Sequence, residues 1–370
     1  TAPVGLYLVR LGEQFPVERV DYFIASMNPA LAVLLAYLAA KVVYGLSVDI
    51  VRLRQMGSYE LVEILGRGGM GEVWRARHRL LARPAAIKLI PTGHLHGGGP
   101  ETPELALKRF EREAQATALL RSPHTVQVYD FGTADDGAFY YVMELLEGVD
   151  AETLVERFGP QPPARVIHLM RQACDSLAEA HEHGMVHRDI KPANLMVCHH
   201  GRRHDFVKVL DFGLVGKSPH FSQATDSQLS VDQMIGGTPA YMAPEQALGR
   251  ELDGRADLYA LGCVGYWLAT GRTVFPSGTP IETITNHIHV PPVPPSARTE
   301  VPIPPDLDRI ILDCLSKSPT GRPANADELA VRLGEVVISD PWTEERARTW
   351  WRTHLPNLAG SVDPTRAASW

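Results

Sequence analysis

The sequence predicts an α+β protein in which strands come first and helices after them. Three observations carry this. Tyr59–Leu65 alternates polar and apolar residues, as a strand with one buried face does. Strand-like runs continue through Glu72–Arg77, Ala85–Ile90, Thr125–Phe131 and Ala138–Met143. From Arg165 to Gly184 the apolar residues Val166, Ile167, Leu169, Met170, Ala173, Leu177 and Ala180 recur with helical period, and Gly184 supplies a C-terminal stop. The octet His187–Asn194 comes next, with apolar Met185-Val186 before it and Leu195-Met196-Val197 after it. Pro192 has no N–H to give, so this octet reads as a pinned loop presenting an acid, a base and an amide.

A chain of 370 residues can bury one large core or two moderate ones, and 45% hydrophobic with 21% charged residues is a globular composition. The formal charge of −7, from 36 basic against 43 acidic residues, argues against a nucleic-acid partner. Cys174, Cys198, Cys263 and Cys314 form no CxxC pair and fit reduced thiols of a cytosol. No fixed-period repeat and no signal-peptide pattern occurs.

Residues 1–57 read as a segment of their own. Tyr22–Ala40 carries no charge, and Val42–Leu46 extends the apolar run past Lys41. A membrane span needs roughly 20 largely apolar residues, so a helix over 22–46 is long enough, although Asn28-Pro29 and Lys41 interrupt it. Arg52 and Arg54 beyond it would place the domain from residue 58 onward on the cytoplasmic side of an inner membrane. The second reading is an amphipathic helix packed on the domain or on a partner.

Within 58–148, Gly66-Arg67-Gly68-Gly69-Met70-Gly71-Glu72-Val73 fits G-x-G-x-x-G-x-V, whose glycines let a backbone lie against phosphates. The chain continues from it as a strand, which favours a strand–turn–strand lid over a dinucleotide turn. Lys88 sits in the apolar run Ala85–Ile90 and needs a partner or ligand, since an unpaired buried ammonium is costly. On the helix expected over 104–120, Glu113 shares a face with Phe110, Ala114 and Thr117, whereas Glu111 groups with Lys108 and Gln115. Glu113 is therefore the expected partner of Lys88. His94 and His96 lie in a Gly-rich loop and read as solvent-facing.

Within 149–337, Cys198–His204 reads as a solvated hairpin rather than a metal cluster. A strand, Val207–Leu210, then ends in Asp211-Phe212-Gly213. Pro291–Pro305 reads as a stiff connector between helices. In the tail, 338–370, Trp342, Trp350 and Trp351 fall in a charged segment that docks either on the helical part or on a partner.

Taken in order, the glycine run, Lys88, Glu113, His187-Arg188-Asp189, Asn194, Asp211-Phe212-Gly213 and Ala243-Pro244-Glu245 resemble the eukaryotic-type (Hanks-type) bacterial serine/threonine protein kinases. The resemblance implies a two-lobed fold over 58–337, with a β-rich N-lobe (58–148) and a helical C-lobe (149–337). It implies ATP and Mg²⁺ as cofactors and proteins bearing Ser or Thr as substrates. Asp189 would accept the substrate hydroxyl proton and Lys191 would support the γ-phosphate. Lys88, paired with Glu113, would hold the α- and β-phosphates. Leu65 and Gly66 to Glu72 would cover the nucleotide; Val73, Ala86 and Met196 would sandwich adenine. Met143 would be the gatekeeper, with the backbones of Glu144 and Leu146 meeting the ring. Asn194 and Asp211 would bind the metal. Asp257 would brace the catalytic loop, and Arg322 would pair with Glu245. Arg188 beside Asp189 resembles kinases switched by phosphorylation of the 211–245 segment, where Ser218, Ser222, Thr225, Ser227 and Ser230 are the candidates. Asp232 would supply part of that charge permanently. The alternative is a nucleotide-binding pseudokinase scaffold, against which all five of Lys88, Glu113, Asp189, Asn194 and Asp211 are present.

Overall fold

The structure, a computed structural model, describes residues 55–68, 71–81, 83–90, 111–112, 114–134, 138–212, 239–276 and 278–359. The expected span 22–46, and Gly69, Met70, His94, His96, Glu113, Gly213, Ser218, Ser222, Thr225, Ser227, Ser230 and Asp232, lie outside the described residues. Among the described residues no helix is long and apolar enough to cross a membrane.

Two compact units divide the chain. The smaller one holds, among the described residues, 55–62 and 77–81. Here β1 (Gln55–Met56) pairs antiparallel with the start of β2 (Tyr59–Gly68), Met56 opposite Tyr59. Gly57, at φ 56°, makes the turn between them. Tyr59 packs edge-on against His78 at the end of β3 (Gly71–His78), with ring centroids 4.9 Å apart.

The larger unit begins with the remaining residues of β2 and β3 and adds β4 (Pro84–Ile90), β5 (Val128–Thr133) and β6 (Phe139–Glu144), in the sheet order β2-β3-β4-β6-β5. β4 and β6 are antiparallel, with Ala86 opposite Met143 and Lys88 opposite Tyr141. Both are nearly continuous apolar runs because they are central strands covered on both faces, so alternation is lost there. Their side chains, Ala86, Ile90, Phe139, Tyr141 and Met143 among them, form the smaller of two apolar cores with Ala114 and Val126.

The helical part of this unit is built on α2 (Pro163–Glu182), preceded by α1 (Ala151–Phe158) and a small sheet strand, β7 (Gly148–Asp150). All seven expected apolar positions of α2 are buried, and Gly184 leaves the helix at φ 72°. α4 (Arg255–Thr270), preceded by the single-turn α3 (Pro244–Ala247), is buried almost all round, as a helix through the middle of a core must be. At Gly262 a Cβ would lie 2.6 Å from the Cys314 Cβ, so glycine is what allows α6 (Pro305–Cys314) to pack closely. α5 (Pro280–His289) and α7 (Ala326–Gly334) complete the layer, and the proline-rich connector lies between α5 and α6 as expected. All four cysteines are free and buried, and burial pushes the Cys198 and Cys314 thiols up to about 12.

β8 (Leu195–His200) and β9 (Arg203–Val209) form a hairpin that completes the sheet β7-β8-β9. The expected solvated tip holds for His200, Gly201, Arg202 and Arg203, which are exposed. It does not hold for His199 and His204. His199 pairs with Glu147 at 2.9 Å, and His204 donates its N–H to Glu344 at 3.0 Å. Both rings face Trp351, because α8 (Glu344–His354) lies against β9. A short α9 (Pro356–Ala359) ends the described chain.

The tryptophan segment therefore docks on the helical part of its own chain. Arg165, fully buried, donates from Nε and Nη2 to Asp205, both at 2.7 Å. The Trp351 and Trp342 indoles donate to the same carboxylate at 2.6 and 2.8 Å, and the Arg165 guanidinium stacks 3.7 Å from the Trp350 ring centroid. Four donors thus meet two oxygens, which satisfies the buried charge.

Candidate active site

The loop between α2 and β8 is held from three sides. Asp257, buried in the first turn of α4, accepts the N–H groups of His187 and Arg188, each at 2.8 Å, and contacts His181 Nε2 at 2.8 Å. Gln246 Nε2 donates to the Arg188 carbonyl at 3.0 Å. His187 Nδ1 accepts from the Asp189 N–H at 3.3 Å, which leaves Nε2 as the protonated nitrogen donating to the Leu210 carbonyl at 2.7 Å. Arg188 sits at φ 66°, a left-handed conformation that these bonds hold. The brace expected of Asp257 is present, as is the Arg322–Glu245 pair, at 2.6 and 2.8 Å. Asp257→Ala is expected to orphan two backbone donors and cost about 2–4 kcal/mol, read by chemical denaturation.

Within the loop, Lys191 Nζ donates to Asp189 Oδ2 at 2.8 Å. Asn194 Nδ2 donates to the Asp189 carbonyl at 2.7 Å and to Oδ2 at 3.2 Å. The amide nitrogen is thus spent on Asp189, and the carbonyl oxygen of Asn194 is the atom left for a cation. The Leu210 N–H donates to the Asn194 backbone carbonyl at 2.9 Å, tying this loop to Asp211. Asp211 sits at φ 58°. Its Oδ2 accepts from Lys88 Nζ at 2.6 Å, and its Oδ1 accepts the hydroxyl of Tyr141. Loss of solvent would raise the Asp211 carboxyl, but the charge and hydrogen bond of Lys88, with the Tyr141 bond, hold it below the usual carboxylate range. Burial, and then the charge of Asp211, push the Tyr141 phenol well up, so its hydroxyl remains a donor.

Around this centre, Val73, Ala86, Met143 and Leu146 belong to one apolar cluster. Met196 is half-buried on β8 and belongs to neither apolar core. Leu65, Gly66 and Arg67 are exposed on β2; Arg67 pairs with Glu72 at 3.0 Å, and Gly71 has φ 124°. The Glu144 N–H donates to the Gln127 carbonyl at 3.0 Å, and its carboxylate pairs at 2.6 Å with Lys208, which is buried on β9. Ala114 and Thr117 are buried.

Sequence reasoning missed Tyr141 and the Glu144–Lys208 pair. The register of β4 on β6 sets Tyr141 opposite Lys88, and the visible signal was a tyrosine inside an apolar central strand. A buried hydroxyl there needs an acceptor. The site also fits a hard divalent cation: a carboxylate and an amide carbonyl oxygen stand at the two feet of one hairpin.

A lysine on a β-sheet half, paired with a carboxylate that follows a polar loop on a helical half, is the arrangement of a protein kinase fold. The sequence profile of the protein kinase domain matches residues 59–332. Serine/threonine-protein kinase pkn3 of Myxococcus xanthus is 38% identical over 281 residues, 75% of this chain and 50% of that protein. PknB of Mycobacterium tuberculosis is 40% identical over 288 residues, 76% of this chain and 43% of that protein. The chain spans about half the length of the curated relatives it matches. The crystal structure of the PknI kinase domain of Mycobacterium tuberculosis, a double mutant, superposes with TM-score 0.58 at 26% identity, covering 76% of this chain and 96% of that one. This chain belongs to the protein kinase domain family.

Proposed function

We propose that this chain transfers the γ-phosphate of ATP to serine and threonine hydroxyls of proteins, in bacterial signal transduction. The observation that carries the reading is the joined constellation of Asp189, Lys191 and Asn194 with Lys88 and Asp211 across the Asn194–Leu210 link. Phosphoryl transfer asks for positioning and charge neutralisation, and these residues offer both. Asp189 orients the hydroxyl and takes its proton. Lys191 holds Asp189 and meets the moving phosphoryl group. Lys88 binds the phosphates, with Glu113 as its proposed partner. Val73, Ala86, Met143 and Met196 enclose adenine, the backbones of Glu144 and Leu146 meet its edge, and the 65–72 lid covers the phosphates. Asn194 and Asp211 hold Mg²⁺, which when bound neutralises charge on the phosphate oxygens.

Arg188 is an exposed cation beside Asp189, which supports control by autophosphorylation within 213–238, Ser230 first. The uncharged run 22–40, with Arg52 and Arg54 after it, supports a membrane anchor with the kinase domain on the cytoplasmic side.

The test is transfer of radiolabelled γ-phosphate from Mg-ATP to the chain itself and to a basic protein, with Asp189→Asn as the blank. Phosphoserine or phosphothreonine from wild type alone is the expected result. ATP binding with no transfer by either would establish the scaffold reading instead.

A further inference from the structure

Tyr141 stands apart from the rest of its strand. Tyr140 beside it on β6 is 9% exposed and sets its hydroxyl over Gly132, whereas Tyr141 is 1% exposed and carries its hydroxyl to Asp211. The ring is fixed by the core around Ala86, Phe139 and Met143 and by its register opposite Lys88. The hydroxyl reaches Asp211 Oδ1, while Lys88 takes Oδ2. The two oxygens of one carboxylate are thus divided between two donors on adjacent strands. The donors differ in kind. Lys88 ends a flexible stem and can turn to a phosphate, but Tyr141 is rigid and would bury an unpaired hydroxyl if Asp211 left it.

We propose that Tyr141 is a positioning residue that keeps Oδ1 of Asp211 occupied throughout, so that only Oδ2 exchanges Lys88 for the metal. This rests on the reading of Asp211 as a metal ligand. Asp211 then offers the cation one oxygen, never two. A one-oxygen carboxylate suits a small octahedral cation, and a two-oxygen grip suits a larger one with more ligands. The tyrosine therefore sets metal selectivity: it favours Mg²⁺ over Ca²⁺ without touching either. It also fixes a carboxylate whose backbone is already in the left-handed region at φ 58°.

The experiment titrates Mg²⁺ and Ca²⁺ separately into the full chain with a fluorescent ADP, for wild type, Tyr141→Phe, Tyr141→Ile and Asp211→Ala, and records the melting temperature of each. Both Tyr141 variants are expected to raise the half-saturating Mg²⁺ concentration about 3- to 10-fold, the worth of one hydrogen bond. Half-saturating Ca²⁺ should stay level or fall, so the preference for Mg²⁺ shrinks. A merely structural role would weaken both cations together. Unchanged Mg²⁺ and Ca²⁺ constants, or an equal loss of both, in whichever Tyr141 variant folds would overturn the proposal. Asp211→Ala separates the two levels: retained metal dependence there removes the metal-site reading itself. Its loss there, with Tyr141 variants unchanged, removes only the role of Tyr141.

Discussion

Asp189→Asn is expected to lower kcat for phosphotransfer by about 10²–10⁴-fold, or about 3–5 kcal/mol of barrier, while leaving the KM for ATP and the melting temperature unchanged. Asparagine keeps the shape of the side chain and can still accept from Lys191. The backbone carbonyl of residue 189 still receives the Asn194 amide, so the loop stays in place. What disappears is the charge proposed to draw the hydroxyl proton. The Asp189 side chain is 27% exposed, so a substrate hydroxyl can reach it. Single-turnover kinetics with Mg-ATP would show the loss in the chemical step; a drop of less than about tenfold would mean that proton acceptance lies elsewhere.

The second large effect concerns the tail. Asp205→Ala leaves Arg165 buried without its counter-ion and two indole donors without an acceptor, and is expected to cost about 3–5 kcal/mol of stability. Asparagine at this position tolerates φ 53° better than alanine does. Removing both charges, as Arg165→Met with Asp205→Asn, should therefore cost less than Asp205→Ala alone. Urea unfolding with matched m-values would compare them. A double variant as unstable as Asp205→Ala would show that the uncompensated charge is not the source of the penalty.

Legibility in the sequence depended on which forces act locally. Gly66, Lys88, Asp189, Asn194 and Asp211 could be singled out because each motif is short and their order is informative. The helix over 163–182 was found because its buried stripe repeats within a few turns. The Arg165–Asp205 pair was not found: Arg165 opens the helix that was expected, but Asp205 falls between the expected hairpin, 198–204, and the expected strand, 207–210, and in fact belongs to β9. Their partnership depends on Trp342 and Trp351, more than a hundred residues beyond Asp205, and no local pattern encodes it. Tyr141 was passed over for a related reason: in a strand its aromatic body accounts for its presence, and only the tertiary register reveals what its oxygen meets. The histidines of the β8–β9 hairpin were read as facing water because the helix that covers two of them comes 140 residues later.

The four sheltered thiols make the molecule its own clock of opening. Thiolate is the reactive form, and burial suppresses it at Cys174, Cys198, Cys263 and Cys314 alike, so a thiol reagent reacts only when the chain around each one parts. Cys198 lies on the β8–β9 hairpin with its Sγ donating to the Phe206 carbonyl, whereas Cys263 and Cys314 belong to α4 and α6, which pack together in the main core. Alkylation at the first dates the opening of the β8–β9 hairpin, and alkylation at the other two dates the breaking of the main core. A single cysteine introduced on the surface would then label cleanly against a silent background.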